Sequence, residues 1–264
     1  MRPLVGMSDA SRLEMQTLFT DIDDTLTTEG RLTAAAFSSL EHLQTAGIRV
    51  ILVTGRPAGW CDHMARMWPV DGVVGENGAF CFRYDHEKRT MDRHYIKSED
   101  ERLADRDRLD QLARHILAKV PGCAIANDQA YREADLAIDF CEDVAPLPQK
   151  AIERISDLFF EAGAVAKVSS IHVNGWFGTW DKLSMARIMM QRYFDENLDN
   201  TLNTCVYAGD SPNDAPMFSW FPLSVGVANV ADFDLADEDQ PAFVTMARAG
   251  AGFTELADFL LKDR

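Results

Sequence analysis

The stretch that most limits what this chain can become is Thr17-Leu18-Phe19-Thr20-Asp21-Ile22-Asp23-Asp24-Thr25-Leu26. β-preferring and apolar residues run directly into three carboxylates, so a strand is expected to end where Asp21 begins. Carboxylates two residues apart at a strand's carboxyl end repel one another unless a cation lies between them. The crevice outside the carboxyl ends of parallel strands is also where open α/β sheets bind ligands. Taken alone, the segment admits a second reading, a solvated acidic turn whose Asp and Thr residues cap a helix.

The chain downstream supplies the context. Thr33 can cap a helix carrying Ala36, Phe37, Leu40 and Leu43 at helical spacing, with Gly47 just past its end. Ile48 to Val53 reads as a buried strand that ends in Thr54-Gly55-Arg56, and a helix over 58–67 and a strand over 72–74 follow. Strand, helix, strand, helix, strand with short connections indicates a doubly wound parallel sheet. After Gly75-Glu76-Asn77-Gly78 a hairpin strand is expected over 79–84, and the character changes from Asp85. A charged run leads to a capping box, Ser98 with Glu101, and an amphipathic helix reaching Val120. Strands at 124–126 and 136–140, a helix entered at Pro148 and one or two strands over 165–173 complete an inserted α+β module. The first rhythm resumes with a helix at Lys182 and a strand over 204–208 that runs into a second acidic cluster, Gly209-Asp210-Ser211-Pro212-Asn213-Asp214. Short strands at 223–227 and 243–245 and a helix over 253–261 finish the layer. Residues 1–16 are polar and aperiodic and are expected to form a loose leader.

Composition narrows the partners. The 26 Lys and Arg residues face 42 Asp and Glu, a formal charge of -16, and that field disfavours nucleic acid. A small anionic substrate therefore needs local cations. Five cysteines with no CxxC argue for a reducing compartment and against a zinc knuckle. No apolar run approaches the roughly 20 residues of a membrane span, and the first residues lack a signal-peptide layout. The expectation is a cytoplasmic monomer or small homo-oligomer with neither nucleic acid nor membrane as a partner.

Four sites at strand ends or helix starts carry the chemistry: Asp21 with Asp23, Thr54, Lys182, and Asp210 with Asn213 and Asp214. Asp21 to Thr54 is 33 residues and Lys182 to Asp210 is 28, each about one strand–helix unit, whereas Thr54 to Lys182 is 128. The excess is the inserted module. In this order, Asp-x-Asp-x-Thr, a strand-terminal Thr, an isolated Lys and Gly-Asp-Ser-x-Asn-Asp resemble the haloacid dehalogenase (HAD) superfamily of phosphotransferases over nearly the whole chain. The insert looks like the C2 cap of the sugar-phosphatase branch, subfamily IIB, with sucrose-phosphatase, mannosyl-3-phosphoglycerate phosphatase and Cof-type hydrolases as the nearest likenesses. Asp24 departs from the Gly common in those relatives. The resemblance implies an α/β fold: a HAD-like doubly wound parallel core over residues 1–84 and 182–264, and an α+β C2-type cap over 85–181 that sets specificity.

Phosphoryl transfer is mostly positioning and charge neutralisation. Asp21 would attack phosphorus, and Asp23 would protonate the leaving alkoxide and then activate water. Mg2+ would bind the Asp21 carboxylate, the Asp23 carbonyl and Asp210, with Asp214 beside them. Thr54 and Lys182 would serve the phosphoryl group, and Gly55, Arg56, Asn77 and Asn213 would help hold the substrate. The expected activity is Mg2+-dependent hydrolysis of a small phosphorylated metabolite, a sugar phosphate, through an aspartyl phosphate. Two alternatives stay open: a phosphomutase of the same superfamily, and a phospho-accepting receiver-like signalling protein, which lacks such an insert. Each residue also has a plainer reading. Thr54-Gly55 can be a strand exit, Lys182 a solvated helix residue, Asp210 to Asp214 a helix cap, and Arg56 a structural ion pair. The run His172, Trp176, Phe177 and Trp180 can be hairpin packing, or a sugar-stacking face that Gly175 and Gly178 let turn over the site.

Overall fold

A computed structural model describes residues 1–264. Strand β1 (Arg2–Pro3) and helix α1 (Asp9–Leu13) precede β2 (Thr17–Thr20), and the expected alternation follows as α2 (Ala34–Thr45), β3 (Arg49–Val53), α3 (Ala58–Met67) and β4 (Gly72–Gly75). Next come β5 (Phe80–Asp85), β6 (Thr90–Tyr95), α4 (Glu99–Lys119), β7 (Ala124–Ile125), β8 (Leu136–Asp139), α5 (Gln149–Glu161), β9 (Val165–Val168) and β10 (His172–Trp176). The chain closes with α6 (Lys182–Phe194), β11 (Cys205–Gly209), α7 (Ala215–Trp220), β12 (Ser224–Gly226), β13 (Phe243–Val244) and α8 (Ala249–Leu261).

The main sheet has the order β1-β13-β12-β11-β2-β3-β4-β5-β6, parallel from β1 through β4 and antiparallel over the last two strands. β2, β4 and β11 are buried along their whole length, as parallel strands covered on both faces must be. Side chains of β2 alternate between the faces. Leu18 joins Leu40 of α2 and Leu256 of α8 on one side, and Phe19 joins Met189 of α6 and Met217 of α7 on the other. The second sheet, β7-β8-β10-β9, is antiparallel. Leu109, Leu112 and Ile116 of α4 and Ile155 and Phe159 of α5 pack on it with Ile138 and Val173. The expected Ser98–Glu101 capping box opens α4.

Three expectations are corrected. The first residues are not a loose leader: β1 pairs in parallel with β13, Ser8 caps α1, and Leu4, Met7 and Met15 are in the core. Their anchoring is tertiary, so no local period announces it. The main sheet does not end where the composition changes at Asp85, because β6 pairs with β5 from Thr90 to Tyr95. As an edge strand with an exposed side, β6 can carry the charges that make it read as a loop. Helix α8 begins at Ala249, four residues earlier than its apolar periodicity indicates.

Candidate active site

Register brings the motifs together. Thr20 stands opposite Leu52 on one side and Ala208 on the other, so Asp21, Thr54 and Asp210 leave three adjacent strand ends side by side. The Asp21 N–H donates to the Ala208 carbonyl at 2.9 Å, which extends the ladder by one residue and fixes the carboxylate's exit. Lys182 is the first residue of α6 and is buried, with Nζ donating to Asp21 Oδ1 at 2.8 Å and to Asp214 Oδ1 at 2.6 Å. It is no solvated helix residue. Asp214 Oδ2 accepts from the Asp210 and Ser211 backbone N–H groups, and the Tyr207 hydroxyl donates to Oδ1. Asp210 accepts from Thr25 Oγ1 at 3.2 Å and Asn229 Nδ2 at 3.0 Å.

Oxygens of Asp21, Asp210 and Asp214 lie within 4.8 Å of one another, all three residues being buried. One ammonium faces three carboxylates. Burial, then Asp214 and Asp21, pushes the Asp210 carboxyl well above its usual range. Burial likewise pushes Asp21 up to about 8 against the pull of Lys182, while Asp21 and Asp214 raise Lys182 in spite of its own burial. Such an uncompensated set of hard oxygen donors fits a divalent cation such as Mg2+. Both oxygens of Asp214 are already engaged by four donors, which suits it to orient Lys182 and the 210–211 turn.

Asp24 takes the left-handed conformation, φ 54°, which Asp tolerates better than most residues and Gly accepts freely. The departure at this position thus keeps the turn. Asp23 is held by Arg56, whose Nη2 donates to Oδ1 at 2.7 Å and whose Nε lies 3.0 Å from both oxygens. The same guanidinium reaches Glu142 Oε1 at 2.9 Å, and Glu142 Oε2 lies 2.9 Å from His172 Nε2. Arg56 is therefore an ion-pair residue, and its partner is a carboxylate of the first motif. Thr54 Oγ1 accepts from the Arg56 N–H at 3.0 Å. Asn77, left-handed at φ 54°, packs its amide against Gly55, where a Cβ would come within 3.2 Å of Nδ2. Asn213 Oδ1 accepts from Ser211 Oγ at 2.9 Å. Asp21, Asp23, Gly55, Arg56 and Asn213 line a narrow cleft of about 20 Å³, faced from the second layer by Ser169, Ser170, His172 and Asn174. Thr54 and Asn77 are buried beside that lining.

A family model described as haloacid dehalogenase-like hydrolase matches residues 18–121, which hold the first carboxylates, Thr54 and Asn77. Over those residues the chain is similar to the haloacid dehalogenase-like hydrolases. A phosphoglycolate phosphatase of Pyrobaculum neutrophilum is 26% identical over 249 residues, spanning 92% of this chain and 95% of that protein. A phosphoglycolate phosphatase of Methanoculleus marisnigri is 38% identical over 66 residues, only 24% of this chain and 28% of that one. Among solved structures, a Thermoplasma acidophilum protein superposes with a TM-score of 0.69 at 18% identity, covering 94% of this chain and 99% of its own. A sugar phosphatase of HAD subclass IIB superposes at 0.62 and 14% identity, covering 91% and 97%. These superpositions establish the α/β fold with its inserted second layer.

Several residues at the site escape sequence reasoning. Glu76 reads in sequence as part of a turn, yet it is buried and accepts from the Ala58 N–H of α3 and from three successive N–H groups of the second layer, Glu133, Ala134 and Asp135. Burial and then Asp135 push it up to about 8, while Arg132 and those amides pull it down. Arg132 binds Asp128 and Asp135 and donates to the Gly55 carbonyl at 2.9 Å. Glu142, Arg132 and Asn229 carry no motif that could have revealed them; Thr25 stands inside Asp-x-Asp-x-Thr. The sugar-stacking face is not formed. Trp176 and Trp180 are 1% and 6% exposed, stack on each other with centroids 6.1 Å apart, and belong to the main core with Phe80 and Phe82. Gly175 and Gly178 make room for rings: a Cβ there would strike Phe159 and Trp180 respectively.

Proposed function

We propose that this protein is a hydrolase, a Mg2+-dependent phosphatase that cleaves a small phosphomonoester, such as a sugar phosphate, through an aspartyl phosphate on Asp21. The observation that carries the reading is the buried Asp21–Lys182–Asp214 cluster beside Asp210, with Asp23 two residues from Asp21 at the mouth of the same cleft. An Asp21 oxygen attacks phosphorus as the bond to the leaving oxygen breaks, and Asp23 delivers a proton to the departing alkoxide. Asp23 then takes a proton from water, which attacks phosphorus, releases phosphate and restores Asp21. Arg56 holds Asp23 in the resting arrangement, so the substrate must loosen that ion pair and Asp23 must take up a proton from solvent before it can serve the leaving oxygen. Lys182 keeps Asp21 oriented, and Thr54, Gly55, Asn77 and Asn213 shape the space for the phosphoryl oxygens. Asp21, Asp210 and the Asp23 carbonyl are the groups that would hold Mg2+, which when bound neutralises charge on the phosphoryl oxygens.

We further assign residues 1–84 and 182–264, extended by the hairpin to Tyr95, to the catalytic core, and the remaining segment to a cap over it. The names of the full-length curated relative and of the subclass IIB neighbour support the phosphatase reading. Phosphate release from a panel of phosphomonoesters, with Mg2+ and then with excess chelator after dialysis, is the test. Release should need the metal and should vanish in Asp21→Asn, and free phosphate as product separates a hydrolase from a mutase. Wild-type rates in Asp21→Asn, or full activity in chelator, sink the assignment.

A further inference from the structure

Beside the narrow cleft lies a groove of about 470 Å³ between the loop after β2 and helix α3. Ile22, Thr27 and Leu32 form one side, and Trp60, Met64 and Trp68 the other. Asp23 and Arg56 line both spaces, so the groove opens onto the carboxylate that meets the leaving oxygen. A leaving group has to lie within hydrogen-bond reach of that carboxylate. The cleft, at about 20 Å³, leaves no room for a leaving group beside the phosphoryl oxygens, whereas the groove is in the size range of small-molecule sites. Trp60 remains 40% exposed there, with the Arg56 guanidinium 4.6 Å from its ring centroid.

Charge restricts the occupant further. Arg56 is paired with Asp23 and Glu142, Arg132 with Asp128 and Asp135, Lys182 with Asp21 and Asp214, and His172 stands against Glu142. The cations around the phosphoryl site are thus already committed, and Asp24 adds another carboxylate at its edge. A carboxylate on the leaving group would meet no unpaired cation among them; the one further basic side chain on the groove wall, His63, is exposed to solvent.

We propose that the leaving group is a neutral or cationic, ring-bearing alcohol seated in this groove with a ring face on Trp60, rather than a short carboxylate-bearing alcohol; this rests on the phosphatase reading. Three primary phosphate esters separate the terms: ethyl phosphate, 2-phosphoglycolate, which adds a carboxylate, and benzyl phosphate, which adds a ring. With Mg2+ present, kcat/KM for benzyl phosphate should exceed that for ethyl phosphate by roughly 10-fold or more, the usual worth of burying one ring. The value for 2-phosphoglycolate should not exceed that for ethyl phosphate. Trp60→Ala should shrink the benzyl-to-ethyl ratio by about 5-fold or more, and Trp60→Phe should keep most of it. A preference for 2-phosphoglycolate over ethyl phosphate overturns the proposal, as does a Trp60→Ala loss equal on ethyl and benzyl phosphate. Phosphate release from none of the three by the wild type refutes the phosphatase reading itself and this inference with it.

Discussion

Replacing Glu142 by Gln tests whether the second layer is held to the site by charge. The Glu142 carboxyl is held down to about 2 from 4.5, first by the His172 contact and then by Arg56. At about 1.36 kcal/mol per tenfold change in proton affinity, that difference amounts to about 3.4 kcal/mol. The side chain is 29% exposed, however, and solvent screening reduces the figure to about 1–2 kcal/mol. The sign follows from the depressed value. Between pH 4.5 and 2 the unfolded chain binds a proton that the folded one does not, so this stability is present above 4.5 and lost as pH falls through 2. Glu142→Gln should therefore cost about 1–2 kcal/mol in urea unfolding at pH 7, and by the same linkage the difference should shrink by more than half at about pH 3. A difference below about 0.3 kcal/mol at neutral pH, or one that persists undiminished in acid, refutes the reasoning.

Two further changes probe the buried groups. Lys182→Met leaves Asp21 and Asp214 without their ammonium, and stranding a buried charge typically costs about 3–5 kcal/mol. The metal-free protein should melt at lower temperature and regain part of the loss in Mg2+, and an unchanged melt in chelator would count against the cluster. Glu76→Ala removes the acceptor of four backbone donors, and the two buried ones, at Ala58 and Asp135, cost about 1–3 kcal/mol each if left unsatisfied. Amides of residues 133–135 should then exchange faster with deuterium, and protection equal to the wild type would show that Glu76 does not hold that loop.

The parallel core and its acidic strand ends were legible because fully buried strands must be written as apolar runs, and because Asp21, Thr54 and Asp210 stop those runs abruptly. Spacing then implied adjacency, and the register confirms it. What escaped has no period to read. β1 is two residues long and finds its partner some 240 positions away, and β6 carries its charges on the open side of an edge strand. The glycines at 175 and 178 look like turn formers, yet their missing side chains admit Phe159 and Trp180. The links between layers are the least visible, since a lone Glu76, Arg132 or Glu142 is indistinguishable in sequence from a solvated charge. They nonetheless determine how the site is assembled. Arg56 spans Asp23 and Glu142 with one guanidinium, so it can satisfy both only while the second layer is seated. Asp139 keeps Glu142 in place by accepting from the N–H groups of residues 141–143. Lifting that layer would remove Glu142 and Asp128, two of the three carboxylates around the Arg56 guanidinium, and leave the third, Asp23, with the whole of its charge. The position of the inserted layer is thereby coupled, through a single side chain, to the group assigned to move the proton.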